Sequence, residues 1–360
     1  MIQLKKKSET IFVTMLTKRQ AYIQNLIQSH DGISVPEIIV LLENSEFEKI
    51  SRITLIRDLN TLIESSLIKR SEKARATRYF SIYSNPLLRI FDVGEYFKTE
   101  NRNSGYQMFN FDIFDKLPGL FSESEIVELE NINRKIQINI NRFSETAIQK
   151  EIERITVEFS WKSSQLEGNT YSLLDTERLI KDRISAKGHS VAESIMILNH
   201  KEAMDFIFQN RTEFRILNIA EIEEIHKIIT KDLGVNFGLR KIPVGIIGTD
   251  YKPLDNQFQI KEALESLCER INKLTFPIEK ALALIAMVSY IQPFEDGNKR
   301  TSRILGNAVL MAHNFCPLSY RSVDEVEYKK AMILFYEQNS IAYFKEIFIT
   351  QFKNAVEKYF

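Results

Sequence analysis

The sequence predicts a mainly α-helical protein, in which a small unit of helices and two strands precedes an all-helical bundle with one short β-hairpin. Three observations support this prediction. Only 12 glycines and 8 prolines interrupt the 360 residues, which are rich in Leu, Ile, Glu and Lys, a composition typical of helices. Apolar residues recur at helical spacing through most of the chain. Ser34 with Glu37, and Ser122 with Glu125, have the spacing of helix N-terminal capping boxes.

Length, charge and cysteine content limit the functional classes. A chain of 360 residues suggests two or three domains at the usual ~100–200 residues each. Lysine plus arginine, and aspartate plus glutamate, number 48 each, so the whole chain has no bulk charge bias toward nucleic acid or acidic partners. The two cysteines, Cys268 and Cys316, are too few for a disulfide framework, and as buried apolar residues they suit a reducing cytoplasm.

Neither a secretion signal nor a membrane span is expected. The apolar run Ile11–Leu16 is short and is interrupted by Thr14, unlike the core of a signal peptide. The longest apolar run, at 281–291, is well below the ~20 residues that a membrane helix needs. We therefore expect a cytoplasmic protein without membrane contact.

The sequence predicts that residues 1–84 form a separate small domain, because turn signals divide them into short segments with periodic apolar residues. The expected elements are helices in Lys18–His30, after the Ser34 cap and in Ser51–Ser65, followed by strands in Leu67–Arg70 and Arg78–Ile82. Three helices and a two-stranded hairpin in this order form the winged-helix layout. The stretch Ile53–Leu59 of the third helix resembles the recognition helix of DeoR-type regulators.

The charges of this domain leave two interpretations open. We expect one apolar face on the third helix, made of Ile53, Ile56, Leu59, Leu62 and Ile63. Basic residues on that helix and in the wing would neutralise DNA phosphates; they are Arg52, Arg57, Lys69, Arg70, Lys73, Arg75 and Arg78. The alternative is a protein-docking module, because Glu43, Glu46 and Glu48 dilute the patch and Arg57 with Asp58 could be a structural pair. DNA contact would involve residues 10–84.

Residues 85–120 read as a connector, since turn signals such as Asn85-Pro86 and Pro118-Gly119 divide them. Aromatic residues suggest that this connector packs against the next domain; they are Phe97, Tyr106, Phe109, Phe111 and Phe114. The bundle then occupies 121–360, and a long helix opening at Ser144 runs to about 168 within it.

Residues 238–253 lack a helical period. Val244–Ile247 is β-prone and Gly248-Thr249-Asp250 is a turn signal, so we expect the hairpin here. His200 and His226 are interpreted as packing or surface histidines.

The stretch 292–303 contains the residues that we expect to form the functional site. Gly297-Asn298 is suited to a loop that turns into a helix, which leaves the backbone amides from Gly297 to Arg300 as free donors for a phosphate. Arg300 and Arg303 are three residues apart and so reach one side of that helix. Asp296 is placed to hold a divalent cation that bridges phosphate oxygens. The residues themselves thus predict a site for nucleotide phosphates and Mg²⁺.

Two motifs resemble those of the Fic domain family. The stretch from Gln292 to Arg303 matches every fixed position of the family signature (His, any, Phe, any, Asp/Glu, Gly, Asn, any, Arg, any two, Arg) except the first, where Gln292 replaces the histidine. The stretch Ser163–Gly168 resembles the family's inhibitory helix motif. The resemblance covers roughly residues 120–350.

The resemblance implies a reaction and a role for each matching residue. The family's usual reaction transfers AMP from ATP to a hydroxyl of a target protein, with the motif histidine as general base. By analogy, Asp296 would bind Mg²⁺ and Phe294 would anchor the loop. The triphosphate would be bound by Gly297, Asn298, Lys299, Arg300 and Arg303. The hairpin at 238–253 would correspond to the family's flap, which pairs by backbone with the target segment.

The resemblance also implies that the transfer activity is inhibited by a segment of the chain itself. Glu167, within the inhibitory set Ser163, Glu167 and Gly168, would pair with Arg303 and deny it to the γ-phosphate of ATP. Gln292 lies at the position of the general base, and an amide does not accept a proton near neutral pH.

Two hypotheses follow. The chain is either a weakened adenylyltransferase restrained by Glu167, or a pseudoenzyme that senses nucleotide and acts as a transcriptional regulator or interaction module through its winged helix. The expected partners are ATP, a target protein that could be the chain itself, and DNA in the regulator case. A homodimer is also expected.

Overall fold

The computed structural model describes residues 17–28, 30, 32–43, 45, 47, 50–64, 67–71, 77–82, 85–100, 102, 104–140 and 143–359. The chain divides into two compact units, Met1–Arg102 and Asn103–Phe360. The division therefore falls inside the segment that we interpreted as a connector, at 85–120.

The first unit combines helices with a small antiparallel sheet. Its elements are α1 (Lys18–Gln28), β1 (Ile33–Ser34), α2 (Val35–Leu42), α3 (Arg52–Glu64), β2 (Ile68–Arg70), β3 (Arg78–Ser81) and the short α4 (Val93–Tyr96). The strand order is β1-β3-β2, with Ile33 opposite Tyr79 and Lys69 opposite Phe80. The sequence predicted two strands; β1 was missed because two residues are too short to show alternation.

The buried face of α3 differs from the predicted one. Leu55, Leu59 and Leu62 are buried, at the spacing of one helix face, whereas Ile53 is 66% exposed and Ile56 is 38% exposed. The prediction was wrong for these two isoleucines because apolar character alone does not identify the inner face of a short helix.

The charged residues of the first unit also differ in part from the expectation. The carboxylate of Asp58 is buried and accepts from Nε and Nη2 of Arg19, at 2.6 and 3.2 Å. Asp58 is therefore paired with α1, and not with Arg57 as one interpretation had it. Lys73, Arg75, Glu46 and Glu48 lie outside the described residues.

The second unit is helical. Its helices are α5 (Glu123–Ile140), α6 (Glu145–Gln165), α7 (Leu173–Asp182), α8 (Val191–Gln209), α9 (Ile219–Thr230), α10 (Gln257–Lys273), α11 (Pro277–Ile291), α12 (Asn298–Ala312), α13 (Glu325–Gln338) and α14 (Ala342–Tyr359). The predicted capping box before α5 forms, since the backbone N–H of Ser122 donates to Glu125 at 2.8 Å. The mainly helical fold class is confirmed.

Helices α11 and α12 form the centre of this unit. Every residue of α11 from Ile278 to Ile291 is buried, and so is most of α12. Gly306 of α12 lies against Ile285 of α11 so closely that a Cβ at position 306 would overlap the isoleucine side chain. Glycine at position 306 therefore allows the two helices to pack closely.

The segment between α9 and α10 is not the β-hairpin that the sequence predicted. Residues 241–250 contain no strand, and the described bridge in the region joins Lys252 in parallel to Met108. The Arg240 guanidinium donates to the carbonyls of both Ile242 and Leu254. The two ends of this segment are therefore joined through the Arg240 side chain. In a β-hairpin their backbones would form hydrogen bonds with each other directly.

The aromatic residues at 109–114 pack within the second unit. The Phe109 ring stacks on Tyr290 of α11 at 4.8 Å between centroids, and the backbone N–H of Asn110 donates to the Tyr290 hydroxyl at 3.0 Å. This segment is therefore part of the helical unit and not a free linker.

Candidate functional site

The loop between α11 and α12 contains two residues in the left-handed conformation. Gln292 ends α11 with φ 51° and ψ 60°, and Gly297 precedes α12 with φ 82°. Gly297 is required for a second reason as well. A Cβ there would lie 2.8 Å from Cγ2 of Thr230 on α9, closer than such atoms approach. Two constraints therefore favour glycine at this point.

The side chains of Gln292 and Asn298 form a hydrogen bond with each other across the loop. Nε2 of Gln292 donates to the Ser289 carbonyl at 2.6 Å, and Oε1 of Gln292 accepts from Nδ2 of Asn298 at 3.0 Å. Asn298 also donates to the carbonyl of Phe294 at 2.8 Å and accepts from its N–H at 2.9 Å. The Asn298 amide, expected to contact phosphate, is thus engaged in shaping the loop.

Phe294 and His226 support the loop from beneath. Their rings stack at 3.7 Å with an interplanar angle of 8°. Nε2 of His226 lies 3.0 Å from the carbonyl oxygen of Asp296 and must donate to it. Burial lowers the pKa of His226 to about 4, so the ring is neutral near pH 7. The packing interpretation of His226 is consistent with this placement, but its contact with the loop could not be read from local sequence.

The start of α12 presents donors for an anion. Among the described residues, the backbone N–H groups of Asn298, Lys299 and Arg300 have no hydrogen-bond partner, as expected for the first turn of a helix. Nη2 of Arg300 donates to Asp296 at 2.8 Å, while Nη1 of Arg300 is buried and has no partner in the same set. This geometry suits a phosphate oxygen.

Asp296 is the exposed acid of this loop. Its side chain is 68% exposed, and its Oδ1 accepts from the Gly297 N–H at 2.6 Å. The described residues contain no group of three or more His, Cys, Asp or Glu side chains arranged to hold a metal. Mg²⁺ usually binds one or two carboxylates and completes its coordination with phosphate oxygens and water, so one acid beside the amide donors fits a metal that arrives with a nucleotide.

Arg303 is buried and bound by the last turn of α6 and by Glu167, which follows that helix. Its Nε donates to Oγ of Ser163 at 2.9 Å, and its Nη2 donates to the Ser163 carbonyl at 3.0 Å and to Oε1 of Glu167 at 2.8 Å. Burial by itself raises the pKa of Glu167, but the charges of Arg303, Lys299 and Arg300 outweigh it and hold that pKa below its usual value. Nη1 of Arg303 remains buried without a described partner.

His200 completes this network. Its Nδ1 lies 2.8 Å from the Met196 carbonyl and must donate to it, so Nε2 accepts from the Ser163 hydroxyl at 2.8 Å. Burial lowers the pKa of His200 to about 3, which keeps the ring neutral. Sequence reasoning missed this role, because the contact joins residues 37 positions apart and no local pattern signals it.

The turn that carries Glu167 is fastened to the start of α8. Helix α6 ends at Gln165, slightly before the predicted end near 168, and Gly168 follows with φ 92°. Nδ2 of Asn169 donates to the Glu193 carbonyl at 2.9 Å, and the Thr170 N–H donates to the Glu193 carboxylate at 2.8 Å. The position of Glu167 therefore depends on α8 as well as on α6.

The structure brings the predicted site residues together from distant parts of the chain. Gln292, Asp296, Gly297, Asn298, Lys299 and Arg300 lie in or beside one loop, and Ser163 and Glu167 reach it through Arg303. Gly168 supplies the turn after Glu167, and its backbone N–H donates to the Gln165 carbonyl at 2.9 Å.

Comparison with known proteins identifies the region. The sequence model of the Fic/DOC family matches residues 216–310. A protein adenylyltransferase Fic from Nematostella vectensis is 28% identical over 187 residues, which are 50% of this chain and 43% of the relative. The chain spans less than half the length of such curated relatives, since a second one, from Aedes aegypti, is covered over 35% of its length.

A solved structure has the same fold. Fic-1 (aa134–508) from Caenorhabditis elegans superposes with a TM-score of 0.56 at 18% identity, covering 65% of this chain and 69% of that one. Residues 216–310 thus form a Fic/DOC domain. No helix among the described residues is long and apolar enough to span a membrane.

Proposed function

We propose that this chain binds ATP at the α11–α12 loop, that Glu167 restrains it, and that Gln292 leaves protein AMP transfer weak or absent. The observation that carries the proposal is that the buried guanidinium of Arg303 is only partly paired. A buried guanidinium needs an anionic partner, and here Glu167 and Ser163 occupy only part of it.

The triphosphate would lie at the first turn of α12. The free amides of Asn298, Lys299 and Arg300 and the unpartnered Nη1 of Arg300 supply donors to phosphate oxygens. Mg²⁺, when bound, would neutralise part of the phosphate charge, and Asp296 is the residue that would hold it. Binding would compete with the 2.8 Å contact between Asp296 and Arg300.

Glu167 would act as a charged competitor for the nucleotide. Its carboxylate occupies Nη2 of Arg303, and the same guanidinium cannot donate that hydrogen to a γ-phosphate. The family resemblance and the depressed pKa of Glu167 both support a restraint that persists at neutral pH.

Gln292 would limit the chemistry. In AMP transfer the target hydroxyl oxygen attacks the α-phosphorus, the bond to pyrophosphate breaks, and the hydroxyl proton needs an acceptor. An amide cannot take it, and a missing general base costs roughly 10²–10⁴-fold in rate. Both polar atoms of the Gln292 side chain already have hydrogen-bond partners, the Ser289 carbonyl of α11 and the Asn298 amide.

A protein target would dock on the segment between α9 and α10. Residues 244–247 belong to no helix or strand of the described structure, and Ile247 is 99% exposed. An extended segment that lacks a neighbour can pair with a polypeptide. The absence of a hairpin does not remove this possibility, because Ile242, Gly245 and Ile247 are exposed and leave the segment accessible.

Calorimetry with ATP and Mg²⁺ tests the proposal. We expect weak binding by the wild type and at least tenfold tighter binding by Glu167→Gly, since Arg303 then becomes available. Arg303→Ala in the Glu167→Gly background should lose that gain. Glu153→Gly, which removes an exposed glutamate from α6, is the control. An absence of heat with both wild type and Glu167→Gly would refute nucleotide binding.

A second candidate function is the nucleotide-sensing regulator, and one observation favours it. Because Arg19 neutralises Asp58, the outer surface of α3 and β2 keeps Arg52, Arg57, Lys69 and Arg70, which are exposed and have no ion-pair partner among the described residues. Lysine and arginine side chains without an ion-pair partner are available to neutralise the phosphates of DNA.

Anisotropy of a labelled 30-base-pair duplex with the full chain, across salt concentrations, tests this function. Arg52→Ala with Arg57→Ala should reduce the slope of log affinity against log salt by about 2, whereas Lys150→Ala in the second unit should not. Salt-independent or absent binding would exclude the regulator and favour protein docking. The homodimer and the cytoplasmic location stay predictions.

A further inference from the structure

An apolar cavity lies in the second unit, away from the loop at 292–297. Its volume is about 170 Å³. The principal wall residues are Ile152 and Ile155 of α6, Met204 and Phe208 of α8, Met311 of α12, and Phe315 just after that helix. Most of the wall is therefore aliphatic or aromatic.

The cavity is separate from the proposed nucleotide site. Met311 belongs to the last turn of α12, whereas Asn298 begins that helix. Fifteen residues at a rise of 1.5 Å each put the two ends about 20 Å apart. A ligand in the cavity would not touch the loop.

The mouth of the cavity carries polar groups. Arg211 is the one charged side chain among the described residues that line it; it is exposed and has no hydrogen bond or ion pair with any of them. The rim beside it is fixed, because the Asn314 carbonyl accepts from Nδ2 of Asn133 at 3.1 Å and from Nε2 of Gln137 at 2.7 Å. An apolar cavity with a few polar groups at its edge is the usual form of a ligand site.

We propose that this cavity binds a small aromatic carboxylate, with the ring between α6 and α8 and the carboxylate on Arg211. The size fits, since an apolar cavity of about 150 Å³ accepts benzene. The charge fits as well, because a guanidinium presents two parallel donors that match a carboxylate. No acidic side chain lines the described part of the cavity to repel such a ligand or to neutralise Arg211.

Methyl NMR of the full chain tests the proposal. The chain has eight methionines, of which Met204 and Met311 line the cavity, whereas Met108 is exposed elsewhere. Titration with 3-phenylpropionate should shift the methyl signals of Met204 and Met311 to saturation and leave that of Met108 unmoved. The amine 3-phenylpropylamine, with a similar apolar body and the opposite charge, should bind at least tenfold more weakly.

Three variants locate the ligand. Ile152→Phe should fill the cavity and abolish the shifts, and Arg211→Gln should weaken binding roughly tenfold through loss of one charged hydrogen-bonded contact. Lys150→Gln, which removes an exposed cation from the same helix α6, should leave the affinity unchanged. If Ile152→Phe fails to fold, Arg211→Gln alone decides the matter. Equal affinity for acid and amine, no saturation, or no effect of Arg211→Gln would overturn the proposal.

Discussion

The carboxylate of Glu167 lies 2.8 Å from Nη2 of Arg303, although the two residues are 136 positions apart in the chain. The arginine side chain is completely buried, and the glutamate side chain is 20% exposed. A buried guanidinium that lost this partner would be left uncompensated. The pair therefore joins the end of α6 to the first turns of α12, and it makes removal of Glu167 an informative change.

Restoring the general base should reveal any latent transfer activity. Wild type, Glu167→Gly, Gln292→His and the double variant would be incubated with α-labelled ATP and analysed for self-labelling. We expect the first two to be nearly silent and the double variant to be labelled roughly 10²–10⁴-fold more than Glu167→Gly, because a general base contributes that factor. Gln292→Leu in the Glu167→Gly background is the control and should stay silent. Strong labelling of Glu167→Gly alone would show that Gln292 does not disable the reaction.

Gly297→Ala should destabilise the loop for two separable reasons. The left-handed φ of 82° costs an alanine about 1 kcal/mol, and the 2.8 Å contact with Thr230 should cost about 1–3 kcal/mol more. Gly188→Ala is the matched control, since Gly188 has a φ of 86° but nothing within 4 Å of an added Cβ. Chemical denaturation of both variants measures the difference. Equal losses of stability would mean that the loop relaxes away from Thr230 without cost.

His200→Phe should loosen Arg303 and change the pH dependence of stability. The phenyl ring fills the space but removes the acceptor for the Ser163 hydroxyl proton and the ring donor to the Met196 carbonyl, at a cost of about 1–3 kcal/mol near pH 7. The pKa of His200 is about 3 in the folded protein and about 6.5 when unfolded, so the unfolded state takes up a proton first as pH falls. Wild type should therefore lose stability relative to the variant below pH 6.5.

Thermal unfolding of the two proteins between pH 8 and 4 measures this effect. The difference in Tm should be constant above pH 7 and should shrink toward pH 4. A constant difference over the whole range would indicate that the pKa of His200 is the same in the folded and unfolded states.

Glu193→Gln should release the turn that carries Glu167. Hydrogen bonds from the Thr170 hydroxyl, and from the backbone amides of Ser190 and Thr170, lower the pKa of Glu193 to about 2. Because the folded pKa is depressed, this contribution to stability is fully present above pH 4.5 and is lost as pH falls toward 2. Wild type should be more stable than the variant at pH 6, and the two should converge at pH 2–3. Glu177→Gln, on the exposed surface of α7, should show no such convergence.

Local patterns predicted much of the fold. Apolar spacing and capping residues located most helices of the second unit, and the spacing of Ser122 and Glu125 alone was enough to predict the capping box that they form. The loop at 292–297 was also predictable, since Gly297 and the asparagine after it specify a turn into a helix. These features depend on neighbours within a few residues, and periodicity reports such contacts directly.

Other features needed the tertiary structure. The sequence indicated which residues carry charge, but only packing decided that Asp58 meets Arg19, that Ile53 faces outward, and that the segment after α9 is not a hairpin. The roles of His200 and His226 depend on partners tens of positions away. The sequence by itself determined the helices and the anion-binding loop, because short-range spacing specifies them. The three-dimensional packing decided which buried polar groups satisfy one another, because that depends on contacts between distant parts of the chain.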